Sequence, residues 1–175
     1  LGPSGSGKST LLRLLAGLSP PVAGTLCWHG TSIHTQRELF HAALLYLGHA
    51  PALNELLTPV ENLRFACAAA GTPVSHTDSI RALSQAGLQR QTDLPCKVLS
   101  QGQRRRVGLA RLFLSADRPL WILDEPFTAL DTNAVAGLTA TLDAHCAAGG
   151  SVIFSSHQDV PFRTPQRVLR SEERR

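Results

Sequence analysis

Apolar residues recur after Lys8 at Leu11, Leu12, Leu14, Leu15 and Leu18, the three-and-four spacing that lines one face of a helix. Gly17 and Ser19-Pro20-Pro21 end that run, so the first predicted element is a helix that begins directly on the opening glycine-rich segment. Residues 25–28 read as a short strand closed by Gly30, and 44–47 as a buried strand ending at Gly48. The pattern then turns helical. Thr58-Pro59-Val60-Glu61 places a capping residue, a proline at the first helical position and a Glu that can reach back, which starts a helix running to Gly71. A second helix is expected from about 78 to 86, ended by Gly87, so that 51–96 behaves as an inserted helical subdomain. Ser100 repeats the capping-box spacing with Gln103 and heads a helix through Arg111 to about Leu114. A fully apolar strand at 120–123, a helix capped by Asp131 and ending near Gly149-Gly150, and a buried strand at 151–154 complete the order. Strands alternating with helices predict an α/β fold with a parallel sheet covered on both sides.

Composition narrows the class. The chain has 175 residues, 43% of them hydrophobic and 17% charged, which suits one globular domain with a sizeable core and argues against disorder. No apolar run approaches the length of a membrane span, so work at a membrane would require a partner to hold the chain there. Cys27, Cys67, Cys96 and Cys146 lie far apart without Cys-x-x-Cys spacing, which reads as reduced thiols rather than a zinc site or redox pair. The net charge of +4 owes much to Arg104-Arg105-Arg106 and to the tail arginines; solvated helix faces and a loose tail account for them, with nucleic acid or an anionic lipid surface as the alternatives. No Met occurs, and the strand that should feed the opening loop is nearly absent, so the sequence is expected to be N-terminally truncated.

Three segments carry chemistry. Gly2-Pro3-Ser4-Gly5-Ser6-Gly7-Lys8-Ser9, followed by Thr10, has glycines that let successive N–H groups turn onto phosphate oxygens at a helix start. Lys8 is placed to neutralise the β and γ phosphates of a nucleotide, and the Ser9 hydroxyl to ligate Mg²⁺. Asp124 ends an apolar strand at the sheet edge where ligands collect, which makes it the second expected Mg²⁺ anchor. Glu125, one residue on, can take a proton from an attacking water. Leu99-Ser100-Gln101-Gly102-Gln103 offers a serine hydroxyl and free N–H groups to an anion at a capped helix start.

With these motifs in this order, the chain resembles the ATP-binding cassette ATPases over essentially its whole length. The resemblance implies a P-loop core of 1–49 and 112–175, a helical signature subdomain of 50–111, and ATP with Mg²⁺ as cofactors. It implies that ATP is sandwiched between the cradle of one subunit and Ser100, Gln101 and Gly102 of a second, so a homodimer is expected. It further makes Ala129-Leu130-Asp131 the loop that crosses between subunits, Glu125 the catalytic carboxylate and His157 the switch histidine at the γ-phosphate. The runs Leu44-Leu45-Tyr46-Leu47-Gly48-His49, Leu57 with Thr58-Pro59-Val60-Glu61-Asn62-Leu63, and Gln103-Arg104-Arg105-Arg106-Val107 closely resemble the ATP-binding subunits of the bacterial cytochrome c maturation system, the haem-exporter group, as does 121–131. That likeness implies integral membrane partners, indirect service to a periplasmic haem chaperone, and a peripheral position on the cytoplasmic face of the inner membrane. A cassette for another solute and a nucleic-acid-associated ATPase of the same superfamily are the alternatives. One departure stands out: His49-Ala50-Pro51 occupies the loop where most cassettes carry a glutamine. No haem-attachment motif occurs, so haem is expected on partners.

Overall fold

Leu44–Leu47 (β3), Leu120–Leu123 (β4) and Ser151–Phe154 (β5) form a parallel sheet in the order β3-β4-β5, as described by a computed structural model covering residues 7–168. The register sets Leu47 beside Leu123 and Leu123 beside Phe154, so the residues that follow each strand emerge along one edge. All four residues of β4 are buried, as a central parallel strand covered on both faces requires.

Helix α1 (Lys8–Leu15) buries Leu12 in a cluster with Ala16, Phe40, Leu44 and Ile122. It is shorter than its apolar run: Gly17 adopts a left-handed φ of 68°, and the Leu18 N–H donates back to the Arg13 carbonyl, which leaves Leu18 outside the helix and exposed. The predicted strand at 25–28 is a two-residue arm, β1 (Cys27–Trp28), paired antiparallel with β2 (Thr31–Ser32). Positive φ at both His29 and Gly30 makes the connecting turn tight. A short helix, α2 (Arg37–Ala43), was not expected; its only buried side chain is Phe40, and one anchor in seven residues leaves no periodicity to read.

These elements belong to the first of two compact units, made of the described part of Leu1–His49, Asp117–Pro126 and the described part of Thr139–Arg175. The second unit comprises Ala50–Ala116 and Phe127–Leu138, and so takes in the stretch that follows Pro126. Its helices are α3 (Pro59–Ala69), α4 (His76–Gln85) and α5 (Gln101–Leu109), the last tightening into a 3₁₀ turn over Ala110–Leu114. Thr58 and Glu61 form the expected capping box on α3, and Ser75, not foreseen, caps α4 by accepting the Asp78 N–H. Leu63, Leu83, Leu88, Cys96 and Val107 pack into one core, each large side chain contributing about 1.5–3 kcal/mol by burial. The buried Asn62 amide ties the loop to α3: its oxygen accepts the Asn54 N–H at 2.7 Å and its nitrogen donates to the Asn54 carbonyl at 2.9 Å. The final helix, α6 (Thr132–Ala147), starts in the second unit and ends in the first.

Candidate active site

Lys8 is the first residue of α1, preceded by Gly7 with a left-handed φ of 76° and no side-chain cap. Gly7 offers no side chain to cap the helix start, and backbone N–H groups at such a start are suited to receive an anion. Ser9 and Thr10 lie exposed on the same first turn. Gly2, Pro3, Ser4, Gly5 and Ser6 lie outside the described residues.

Asp124 and Glu125 leave β4 at the edge reached by Ser155 and His157 from β5. The Asp124 N–H donates to the Leu47 carbonyl at 2.8 Å, which extends the strand pairing by one residue and sinks Asp124 to 2% exposure. Glu125 then turns sharply, with φ at 50°, a left-handed conformation costing roughly 1–2 kcal/mol in a residue with a Cβ. Its N–H donates to Ser155 Oγ at 2.9 Å, and the same hydroxyl donates to Asp124 Oδ1 at 2.7 Å. Ser155 thus pins both carboxylate residues. Sequence reasoning did not single it out; its place one residue past a buried strand, level with Asp124, is the signal that marks it.

The Glu125 carboxylate collects one cation and two groups from His157. Lys8 Nζ stands 3.6 Å from Oε1, His157 Nε2 stands 3.3 Å from the same oxygen, and the His157 N–H donates to Oε2 at 3.3 Å. Lys8 Nζ also approaches the His157 ring, 3.2 Å from Nδ1 and 3.1 Å from Nε2. The fold therefore brings together residues 8, 125 and 157, separated by as many as 149 positions in sequence, with Asp124 joined through Ser155. A terminal phosphate brought to the α1 start would meet a cation, a carboxylate and an imidazole. Burial raises the Tyr46 phenol above its ordinary pKa, and the charge of Asp124 pushes it further the same way, so Tyr46 stays neutral beneath this edge.

Oxygen donors fit Mg²⁺. The Asp124 carboxylate and the Ser9 hydroxyl are of the hard-ligand type that ion takes alongside substrate phosphates, and would be the residues to hold it. No cluster of three His, Cys, Asp or Glu suited to a metal occurs among the described residues, and the cysteines form no disulfide there. No described helix is long and apolar enough to cross a membrane.

In the second unit, Ser100 and Gln103 form a complete capping box at the start of α5: the Gln103 N–H donates to Ser100 Oγ at 3.2 Å, and the Ser100 N–H to Gln103 Oε1 at 2.9 Å. Ser100 and Gln101 are exposed. Gly102 faces the carbonyl of Ala129 so closely that a Cβ would sit 2.5 Å from its oxygen. Asp131 caps α6, accepting the Ala134 N–H on Oδ1 at 2.8 Å. Arg104 braces the α5 start, donating from Nε to the Leu99 carbonyl at 3.0 Å and from Nη1 to Glu55 at 2.8 Å.

Comparison with known proteins defines the class. A solved ATP-binding cassette, a dimer in a post-hydrolysis state bound to ADP and Pi, superposes with a TM-score of 0.77 at 25% identity, covering 90% of this chain and 72% of that one. The sequence model of the family described as ABC transporter matches residues 1–128. The chain belongs to the ABC transporter family and is an ATP-binding cassette ATPase. Among its relatives, the cytochrome c biogenesis ATP-binding export protein CcmA of Aromatoleum aromaticum is 64% identical over 96% of this chain and 78% of its own length. The CcmA of Dechloromonas aromatica is 52% identical over 91% and 78% respectively.

Proposed function

We propose that this chain is the ATP-hydrolysing subunit of a membrane complex that handles or exports haem during c-type cytochrome maturation. The observation that carries the reading is 64% identity, across nearly the whole chain, to a protein named for ATP-binding export in cytochrome c biogenesis. The grouping of Lys8, Asp124, Glu125 and His157 supports the chemistry. Lys8 binds the β and γ phosphates, and Asp124 with Ser9 would hold Mg²⁺, which neutralises phosphate charge when bound. Glu125 accepts a proton from the water whose oxygen bonds to the γ-phosphorus; the bond to the bridging oxygen breaks and ADP departs with that oxygen. Positioned acid–base groups of this kind are worth roughly 10²–10⁴-fold in rate. His157 holds the γ-phosphate and senses its loss.

Ser100, Gln101 and Gly102 complete the site from a second copy, with Asp131 in the crossing loop, so ATP acts as an adhesive between subunits and hydrolysis reopens the pair. The integral membrane subunits receive that motion on the cytoplasmic side, and a periplasmic haem chaperone benefits indirectly. In the full-length protein, Glu125→Gln is expected to bind ATP and accumulate as a dimer while turnover falls at least about 100-fold. Near-normal hydrolysis would reject Glu125 as the base. Restoration of holocytochrome c in a strain lacking its maturation ATPase tests the haem assignment; ATPase activity without restoration assigns another solute.

A further inference from the structure

The second unit contains a cavity of about 310 Å³ that the ATPase chemistry does not use, bordered by the end of α4, the far half of α5 with its 3₁₀ extension, and the start of α6. Leu109, Leu112, Phe113, Leu130 and Leu138 make its wall apolar. Its size is at the lower end of small-molecule sites. Gly137 explains why the space is open: it lies within α6, where glycine is disfavoured, yet a Cβ there would meet nothing within 4 Å. Close packing therefore does not require the glycine.

One cation borders this apolar space. Arg106 Nη1 donates to the Gly87 carbonyl at 3.3 Å, and no carboxylate lies within ion-pair distance of its guanidinium among the described residues. Most of its forked donors remain available to a carboxylate. Asp131 also borders the cavity, but Oδ1 of that carboxylate accepts the Ala134 N–H as the α6 cap. Its negative charge disfavours a second negative charge on an occupant. We infer that this cavity binds a small monocarboxylate with an apolar body, the carboxylate on Arg106 and the body against Leu109, Phe113 and Leu138. An occupant would brace the stretch that runs from Ala129, whose carbonyl faces Gly102, to Asp131.

Calorimetric titration of the full-length, nucleotide-free protein with octanoate and with octan-1-ol tests this apart from ATP hydrolysis. Octanoate is expected to bind one to one and about tenfold more tightly than the alcohol, the margin of charge-assisted hydrogen bonds. Arg106→Gln should bring octanoate to the level of the alcohol and leave the alcohol unchanged. Gly137→Leu should abolish binding of both, with an unfolding temperature no lower than that of the parent as the folding control. Absence of octanoate binding, or binding that Arg106→Gln leaves intact, overturns the assignment. Should Gly137→Leu fail to fold, the Arg106→Gln comparison decides alone.

Discussion

Glycine-to-alanine substitutions at Gly102 and Gly137 are the same chemical change on two helices, and the structure gives them different outcomes. At Gly102 the new methyl would lie 2.5 Å from the Ala129 carbonyl oxygen, whereas ordinary contact begins at 3.4 Å. Something must move by about 0.9 Å, and the opposing residue is backbone already held at a φ of 62°. Overpacking of that kind costs about 1–3 kcal/mol. At Gly137 the methyl meets nothing within 4 Å. Gly137, inside α6, gains the helix preference of alanine, about 1 kcal/mol, while Gly102, in the first turn of α5, gains less, so the clash adds to a difference of the same sign. Urea and thermal unfolding of the two variants without nucleotide read this directly. Gly137→Ala should unfold later than the parent, and Gly102→Ala should lie about 2 kcal/mol below Gly137→Ala, a gap of about 4–8 °C for a chain of this size. Equal stabilities would show that Gly102 is not held by close approach to Ala129, and the contact between the α5 start and that loop would lose its physical basis.

Much of this arrangement was legible because it rests on local rules. The strands at 44–47, 120–123 and 151–154 are short apolar runs bounded by turn residues, and all three form the parallel sheet. The capping boxes at Thr58 and Ser100 were readable because their hydrogen bonds span three residues. What escaped was non-local or too short to have a period. The α2 segment shows one buried anchor, and β2 exists only because the His29-Gly30 turn folds it onto β1. Ser155 looked like a generic polar residue; only the β4–β5 register makes it the group that joins Asp124 to Glu125. The approach of Lys8 to Glu125 and His157 follows from sheet order, which a linear sequence implies through motif resemblance but does not display.

Two further perturbations test the folded scaffold and one its response to acid. Leu83, fully buried in the helical core, should cost about 2–5 kcal/mol when changed to alanine, read by chemical denaturation. Thr58→Ala removes half of the α3 capping box and should cost about 1 kcal/mol by the same measurement; no change would mean that the box forms without stabilising the helix. His145 sets the acid response. Its ring stacks on Trp121 with centroids 3.7 Å apart and planes within 7°, and it is only 8% exposed. Burial lowers its pKa below the ordinary imidazole value, against a smaller opposing effect from a hydrogen bond with the Pro119 backbone. The unfolded chain therefore binds a proton more readily than the folded one. Stability is fully present above an unfolded-state pKa of about 6.5 and declines as pH falls through that value toward the folded pKa. The depressed carboxyl of Asp143 acts in the same direction only below about pH 4, outside this window. Unfolding free energy measured from about pH 7.5 to about pH 5.5 should fall more steeply for the parent than for His145→Phe, which keeps an aromatic ring on Trp121 but cannot take up a proton. Identical slopes would mean that His145 accepts its proton as easily in the fold as in water, which is incompatible with a ring sealed between Trp121 and Gly150.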